Sequence, residues 1–251
     1  MVIERWTLSV RRWTFSAMKS AIPSLLALLS LLPAQTVWAS PVKKILVLGD
    51  SLSEGVGLKP SQAYPALLTN KLRAAHLRFE VTNASASGGT TEDGLRRLPA
   101  HLKGKIDIFI LELGINDAFR GVPIGEIRMN LQTIMDRVKA RTPNVRVILC
   151  GMQLPNNTAD DYVFAFGKMY SDLAAKDHTA LVPYLLAGVA GDPSLNLPDG
   201  IHPNAAGQRI LAENVWRVLG PIAREVSTAM SVDVGAALAP RVRAGPAESG
   251  H

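Results

Sequence analysis

The chain has one cysteine, Cys150, in 251 residues. A single thiol closes no intrachain disulfide and supplies no thiolate cluster for zinc. It lies in the apolar run "VRVILCGM", so the expected role is a small buried hydrophobe, with a catalytic thiol as the minor alternative. Aromatic residues make up 6% of the chain, which is little for a surface that stacks sugar rings. Basic residues are not clustered. Half of the +6 net charge falls in residues 1–39, where Arg5, Arg11, Arg12 and Lys19 face Glu4, and the rest is scattered. That distribution excludes a nucleic-acid footprint. The glycine-rich stretch "LVLGDSLSEGVGL" (46–58) lacks the Gly-Lys-Ser/Thr of a P-loop and the G-x-G-x-x-G of a dinucleotide turn. It also lacks the G-x-S-x-G nucleophile elbow. A loosely defined flavin-type phosphate loop is the nucleotide reading that survives.

No apolar run is long enough to span a membrane. The longest, Leu25–Leu32, lies between Pro23 and Pro33, within a stretch, Ala21–Ala39, that ends in Val37-Trp38-Ala39. This reads as a signal peptide over residues 1–39, cleaved after Ala39, with export to the periplasm or beyond. Met18-Lys19 is an alternative start, and an uncleaved anchor is the rival reading of the segment.

From residue 42 the pattern alternates. Apolar runs at 43–49, 79–85, 106–114, 145–152 and 180–186 read as strands. Helical stretches are expected over 61–75, 91–102, 125–141, 160–176 and 204–226. In "IRMNLQTIMDRVKAR", Ile127, Leu131, Ile134, Met135 and Val138 share one helical face. Short, nearly continuous apolar strands alternating with helices imply a parallel α/β sheet covered on both faces. The expected domain is 42–226, followed by a disordered tail over 227–251 rich in Ala, Gly and Pro.

Ligands of open α/β sheets sit beyond the carboxyl ends of the strands. There the sequence places Asp50-Ser51, Ser87-Gly88-Gly89, Asn116-Asp117, the loop "MQLPNNTADD" and the loop "NLPDGIHPNAAG". A serine nucleophile needs a base, and the base an orienting acid. Of five histidines only His202 has an acid at a useful offset, Asp199 in "DGIHP". A β-turn with a surface histidine is the plain alternative. Ser51 N–H, Gly88 N–H and the Asn116 amide are candidate oxyanion donors. A tight loop at Gly88-Gly89 and a helix start at Asn116-Asp117 remain open for those residues.

Taken in order, "GDSLS", "SASGG", "GIND" and "DGIHP" resemble the sequence blocks of the Ser-Gly-Asn-His (GDSL) hydrolases, over nearly all of residues 43–220. "AYPALL", "VTNASASG" and "GLRRLPAHL" are similar to stretches of that family's periplasmic thioesterase, lysophospholipase and arylesterase group. The resemblance implies a three-layer α/β/α sandwich with a five-stranded parallel sheet ordered 2-1-3-4-5. It implies Ser51, Asp199 and His202 as the catalytic triad, and Ser51, Gly88 and Asn116 as the oxyanion hole. It also implies no cofactor. Leu154 and Pro155 are expected to line the acyl site, and Asp50 to brace the turn through backbone bonds. Ile115 stands where close relatives often have Gly. The expected partner is a small acyl ester or thioester, met by a monomer with no membrane span after signal cleavage and no affinity for nucleic acid. A carbohydrate acetylesterase and a non-catalytic flavodoxin-like binding module are the rivals.

The expected mature protein begins at Ser40. N-terminal sequencing of the exported protein checks this, and a retained Met1 or Met18 would refute it.

Overall fold

The computed structural model describes residues 41–155 and 161–237, with side chains to residue 229. The expected signal peptide therefore lies outside the described residues, as does the middle of the loop that follows Pro155. Five strands, β1 (Lys43–Leu48), β2 (Phe79–Asn83), β3 (Ile108–Leu111), β4 (Arg146–Cys150) and β5 (Ala180–Val182), form one sheet. All pairings are parallel and the order is β2-β1-β3-β4-β5, as expected. In register, Ile45 pairs with Ile108 and Ile108 with Arg146, so the central strands end nearly level.

Helices α2 (Tyr64–Ala74), α3 (Thr91–His101), α5 (Ile124–Arg141), α6 (Asp161–Lys176) and α7 (Ala205–Ala237) supply the outer layers. α2 packs against α7, while α3 packs against α5 and α5 against α6. The predicted apolar face of α5 is fully enclosed: Ile127, Leu131, Ile134, Met135 and Val138 are all buried to 0% exposure. Each such side chain contributes about 1.5–3 kcal/mol by leaving water. The residues of β3 and most of β1 and β4 are buried as well, because helices cover both sheet faces. β2 is an edge strand and alternates, with Phe79 buried and Glu80 exposed.

Several boundaries differ from the sequence expectation. β5 stops at Val182 because Pro183 has no N–H to continue the ladder. α2 starts at Tyr64, after a 3₁₀ turn over Pro60–Gln62. α7 runs past Val226 to Ala237, where the expected tail had already begun. "STAMSVDVGAA" has no proline to stop it, and the Lys43 ammonium donates to the Val226 carbonyl. Two short helices, α1 (Ser51–Glu54) and α4 (Ile115–Phe119), were read only as a turn and as a turn or helix start. Both lie at the carboxyl edge of the sheet.

Cys150 ends β4 with no exposure, and burial pushes its thiol well above the ordinary range. The folded protein should therefore leave a thiol-reactive dye untouched and release one equivalent on denaturation. Cys150→Ala should keep hydrolytic activity within about threefold, since buried thiols are inert. A loss beyond about a hundredfold in folded protein would point to thiol chemistry.

Candidate active site

The first loop is set by a close approach. A Cβ on Gly49 would lie 2.4 Å from Ser53 Oγ and 2.6 Å from Glu112 Oε2, so no larger residue fits between β1 and α1. Asp50 caps α1: its Oδ1 accepts the Leu52 N–H at 3.0 Å. Ser51, 8% exposed, is the first residue of that helix. Its backbone N–H finds no acceptor among the described residues.

The fifth loop brings Asp199 and His202. The Asp199 carboxylate accepts the backbone N–H of Ile201 at 2.9 Å and of His202 at 3.0 Å through Oδ1. Its Oδ2 lies 2.7 Å from His202 Nδ1, and His202 Nε2 lies 2.9 Å from Ser51 Oγ. With the proton on Nδ1 donated to the carboxylate, Nε2 is left to accept from the Ser51 hydroxyl. The Asp199 side chain is 42% exposed. The hydrogen bonds from His202 and Ile201, rather than burial, hold its carboxyl down at about 2.

The second loop contributes Gly88, whose φ of +69° is a conformation that glycine adopts without strain. Its N–H also finds no acceptor among the described residues. Asn116, on α4, is brought to the same place, and its Nδ2 donates to Asp50 Oδ2 at 3.0 Å and to the Gly89 carbonyl at 3.1 Å. The amide is thus shared between two neighbours.

Several residues support this edge in roles that the sequence pattern does not show. Glu112, just past β3, has no exposure, and its Oε2 accepts the Asp50 N–H at 3.1 Å and the Ser53 hydroxyl at 2.7 Å. Arg97 on α3 donates to the carbonyls of Ala84 and Gly49, tying the ends of β2 and β1 together. Asp117 accepts the Thr91 N–H at 2.9 Å and the Thr91 hydroxyl at 2.5 Å, which fastens α4 to the start of α3. Gln208 accepts the Tyr64 N–H at 2.7 Å and donates to the Leu52 carbonyl at 3.0 Å, joining α7, α2 and α1. Glu112 carried a signal: one acid inside "IDIFILELG" is out of place in a buried strand. Burial pushes the Glu112 carboxyl well above the usual range and raises Asp50 to about 6.

A cavity of about 580 Å³ opens over Ser51 and His202. Leu154 and Pro155 line it, together with Ile115, Phe119 and Tyr184. Phe119 and Ile201 stand at its wall 60% and 55% exposed.

Residues 47–210 match the GDSL-like lipase/acylhydrolase family. The chain belongs to that family. It is 43% identical over 179 residues to esterase TesA of Pseudomonas aeruginosa, covering 71% of this chain and 88% of the relative. It is 37% identical over 188 residues to thioesterase 1/protease 1/lysophospholipase L1 of Escherichia coli K12, covering 74% and 88%. A crystal structure of TesA superposes with a TM-score of 0.68 at 41% identity, over 72% of this chain and 99% of that one. The esterase EstA of a Pseudoalteromonas species, in a structure inhibited by monoethylphosphonate, gives 0.66 at 28% identity over 71% and 97%. This GDSL-like hydrolase is therefore an enzyme, and its relatives are named esterases and thioesterases.

The depressed Asp199 carboxyl has a signed consequence. Its stabilising effect is complete above the unfolded value of about 4 and disappears as pH falls through about 2. The melting-temperature gap between the wild type and Asp199→Asn should be constant above pH 5 and close between pH 4 and 2. Thermal melts over that range check it.

Proposed function

We propose that this hydrolase cleaves fatty acyl esters and thioesters through an acyl-enzyme on Ser51. The observation that carries the reading is the continuous hydrogen-bonded line Ser51–His202–Asp199 opening into a cavity walled largely by apolar side chains. His202 Nε2 takes the hydroxyl proton as Ser51 Oγ attacks the acyl carbon. The carbonyl oxygen becomes an oxyanion held by the Ser51 and Gly88 N–H groups and by Asn116 Nδ2. The imidazolium, steadied by Asp199, returns the proton to the leaving oxygen or sulfur. A water deprotonated by the same nitrogen then releases the acid and frees Ser51.

Leu154, Pro155 and Ile115 fit an aliphatic chain better than a sugar. Phe119 and Tyr184 are the aromatic side chains of the wall, a small stacking surface for an acetylated carbohydrate. The reading includes export, which rests on the sequence of residues 1–39. Among the described residues no helix is long and apolar enough to cross a membrane.

A fluorophosphonate probe should label Ser51, and Ser51→Ala should abolish both labelling and turnover of a p-nitrophenyl ester. Unlabelled, folded wild type would support a binding module instead. Asn116→Ala should lose about 10²–10³ in kcat with little change in KM, the usual cost of one oxyanion donor. If instead Tm drops and kcat follows the folded fraction, Asn116 serves the loop rather than the transition state.

A further inference from the structure

Two carboxyl groups are buried together behind the nucleophile. Asp50 and Glu112 each have no exposure, and each acts on the other. Their surroundings differ. Asp50 receives the Leu52 N–H and the Asn116 amide, and the Arg97 guanidinium and the His202 ring are near enough to act on it electrostatically. Glu112 receives the Asp50 N–H and the Ser53 hydroxyl, both on Oε2. Its Oε1 is buried with no hydrogen-bond partner among the described residues. The Arg97 guanidinium spends its bonds on the Gly49 and Ala84 carbonyls, not on Glu112. Two ionised carboxylates without such a bond to a cation do not share one dry site, so one of them keeps a proton. The proton belongs on the group with fewer donors and a bare oxygen.

We propose that Glu112 is a positioning residue for catalysis: as the neutral acid it clamps the residues on either side of Ser51, leaving the buried negative charge on Asp50. The clamp is direct. The Asp50 N–H precedes the nucleophile and the Ser53 hydroxyl follows it, and Tyr64 Oη lies 2.7 Å from Ser53 Oγ to extend the chain into α2. The charge left on Asp50 then has two uses. It accepts the Asn116 amide, and it faces the imidazolium that His202 becomes during turnover. The groups that surround the pair are Arg97 from α3, His202 from its loop, Tyr64 from α2, Tyr170 from α6 and Cys150 from β4.

The proposal builds on Ser51 as the nucleophile, so one arm of its test is independent of turnover. Infrared difference spectra of wild type minus Glu112→Gln at pH 8 should contain the carbonyl band of a protonated carboxyl. Finding only carboxylate bands would overturn the proposal, whatever the enzyme hydrolyses. In kinetics, Glu112→Gln keeps an acceptor for both clamped donors and adds no charge. It should retain kcat within about threefold and leave the acid limb of the pH–rate profile in place. A downward shift of that limb by about a unit or more would mean that a like charge had been removed from beside Asp50, against the proposal. Glu112→Leu leaves both donors unpaired and should lower kcat about 10²-fold with KM little changed, the scale of a slightly misplaced nucleophile. Wild-type kcat in folded Glu112→Leu would end the positioning role. Should that variant not fold, the spectra and Glu112→Gln still decide.

Discussion

Asp50 is the junction on which the catalytic edge depends. Through its backbone N–H it is held by the end of β3, through Oδ1 it starts the helix that carries Ser51, and through Oδ2 it holds Asn116. The turn after β1 and the stretch from Glu112 to Asn116, far apart in sequence, are thus joined at one residue. A small acid is required there. A longer side chain would not turn back onto the Leu52 N–H, and an apolar one would leave the Asn116 amide and a helix start unpaired in a dry site.

This arrangement sets stability against function. The sheet below is nearly all aliphatic and buried, and it tolerates a fully enclosed carboxyl only at its carboxyl edge. Carboxyls desolvated in that way work against the fold. The surrounding bonds offset this: Arg97 ties two strand ends, Asp117 locks α4 onto Thr91, and Gln208 braces α1 from the opposite layer. Many polar groups there bond to one another across elements, so removing one of these strands its partners. Local rules of composition are broken at this edge and obeyed elsewhere, as expected where chemistry rather than folding selects the residues.

Much of the architecture was legible because its signals are periodic. The covered face of α5 follows from spacing, and the strands from short aliphatic runs. The strand order came from the resemblance of four short blocks and not from periodicity. α1 and α4 were missed as helices because four or five residues hold little more than one turn, too few for a hydrophobic repeat. α7 runs beyond its expected end because residues 227–237 show no clear apolar period to mark a helix, yet they hold no proline to stop one. At the site, Ser51, Asp199 and His202 could be chosen by the chemistry they must do, and Leu154 and Pro155 by their place after a strand. Arg97, Asp117 and Gln208 could not, since each bonds across elements and its role exists only once the chain is folded. Nor could any pattern tell that the Asn116 amide would be shared between Asp50 and Gly89.

The Asp199–His202 pair is a local product of one turn, whereas its hydrogen bond to Ser51 joins residues 151 positions apart. Synthesis from the N-terminus makes these two halves at different times. A chain emerging from the ribosome offers Ser51, the proposed nucleophile, long before His202, the proposed base, and the last strand must form before the two can meet. Until then Ser51 has no imidazole beside it. On the proposed mechanism, hydrolytic power therefore arrives with completion of the fold, and an unfinished or unfolded copy of this chain is harmless to the acyl compounds around it.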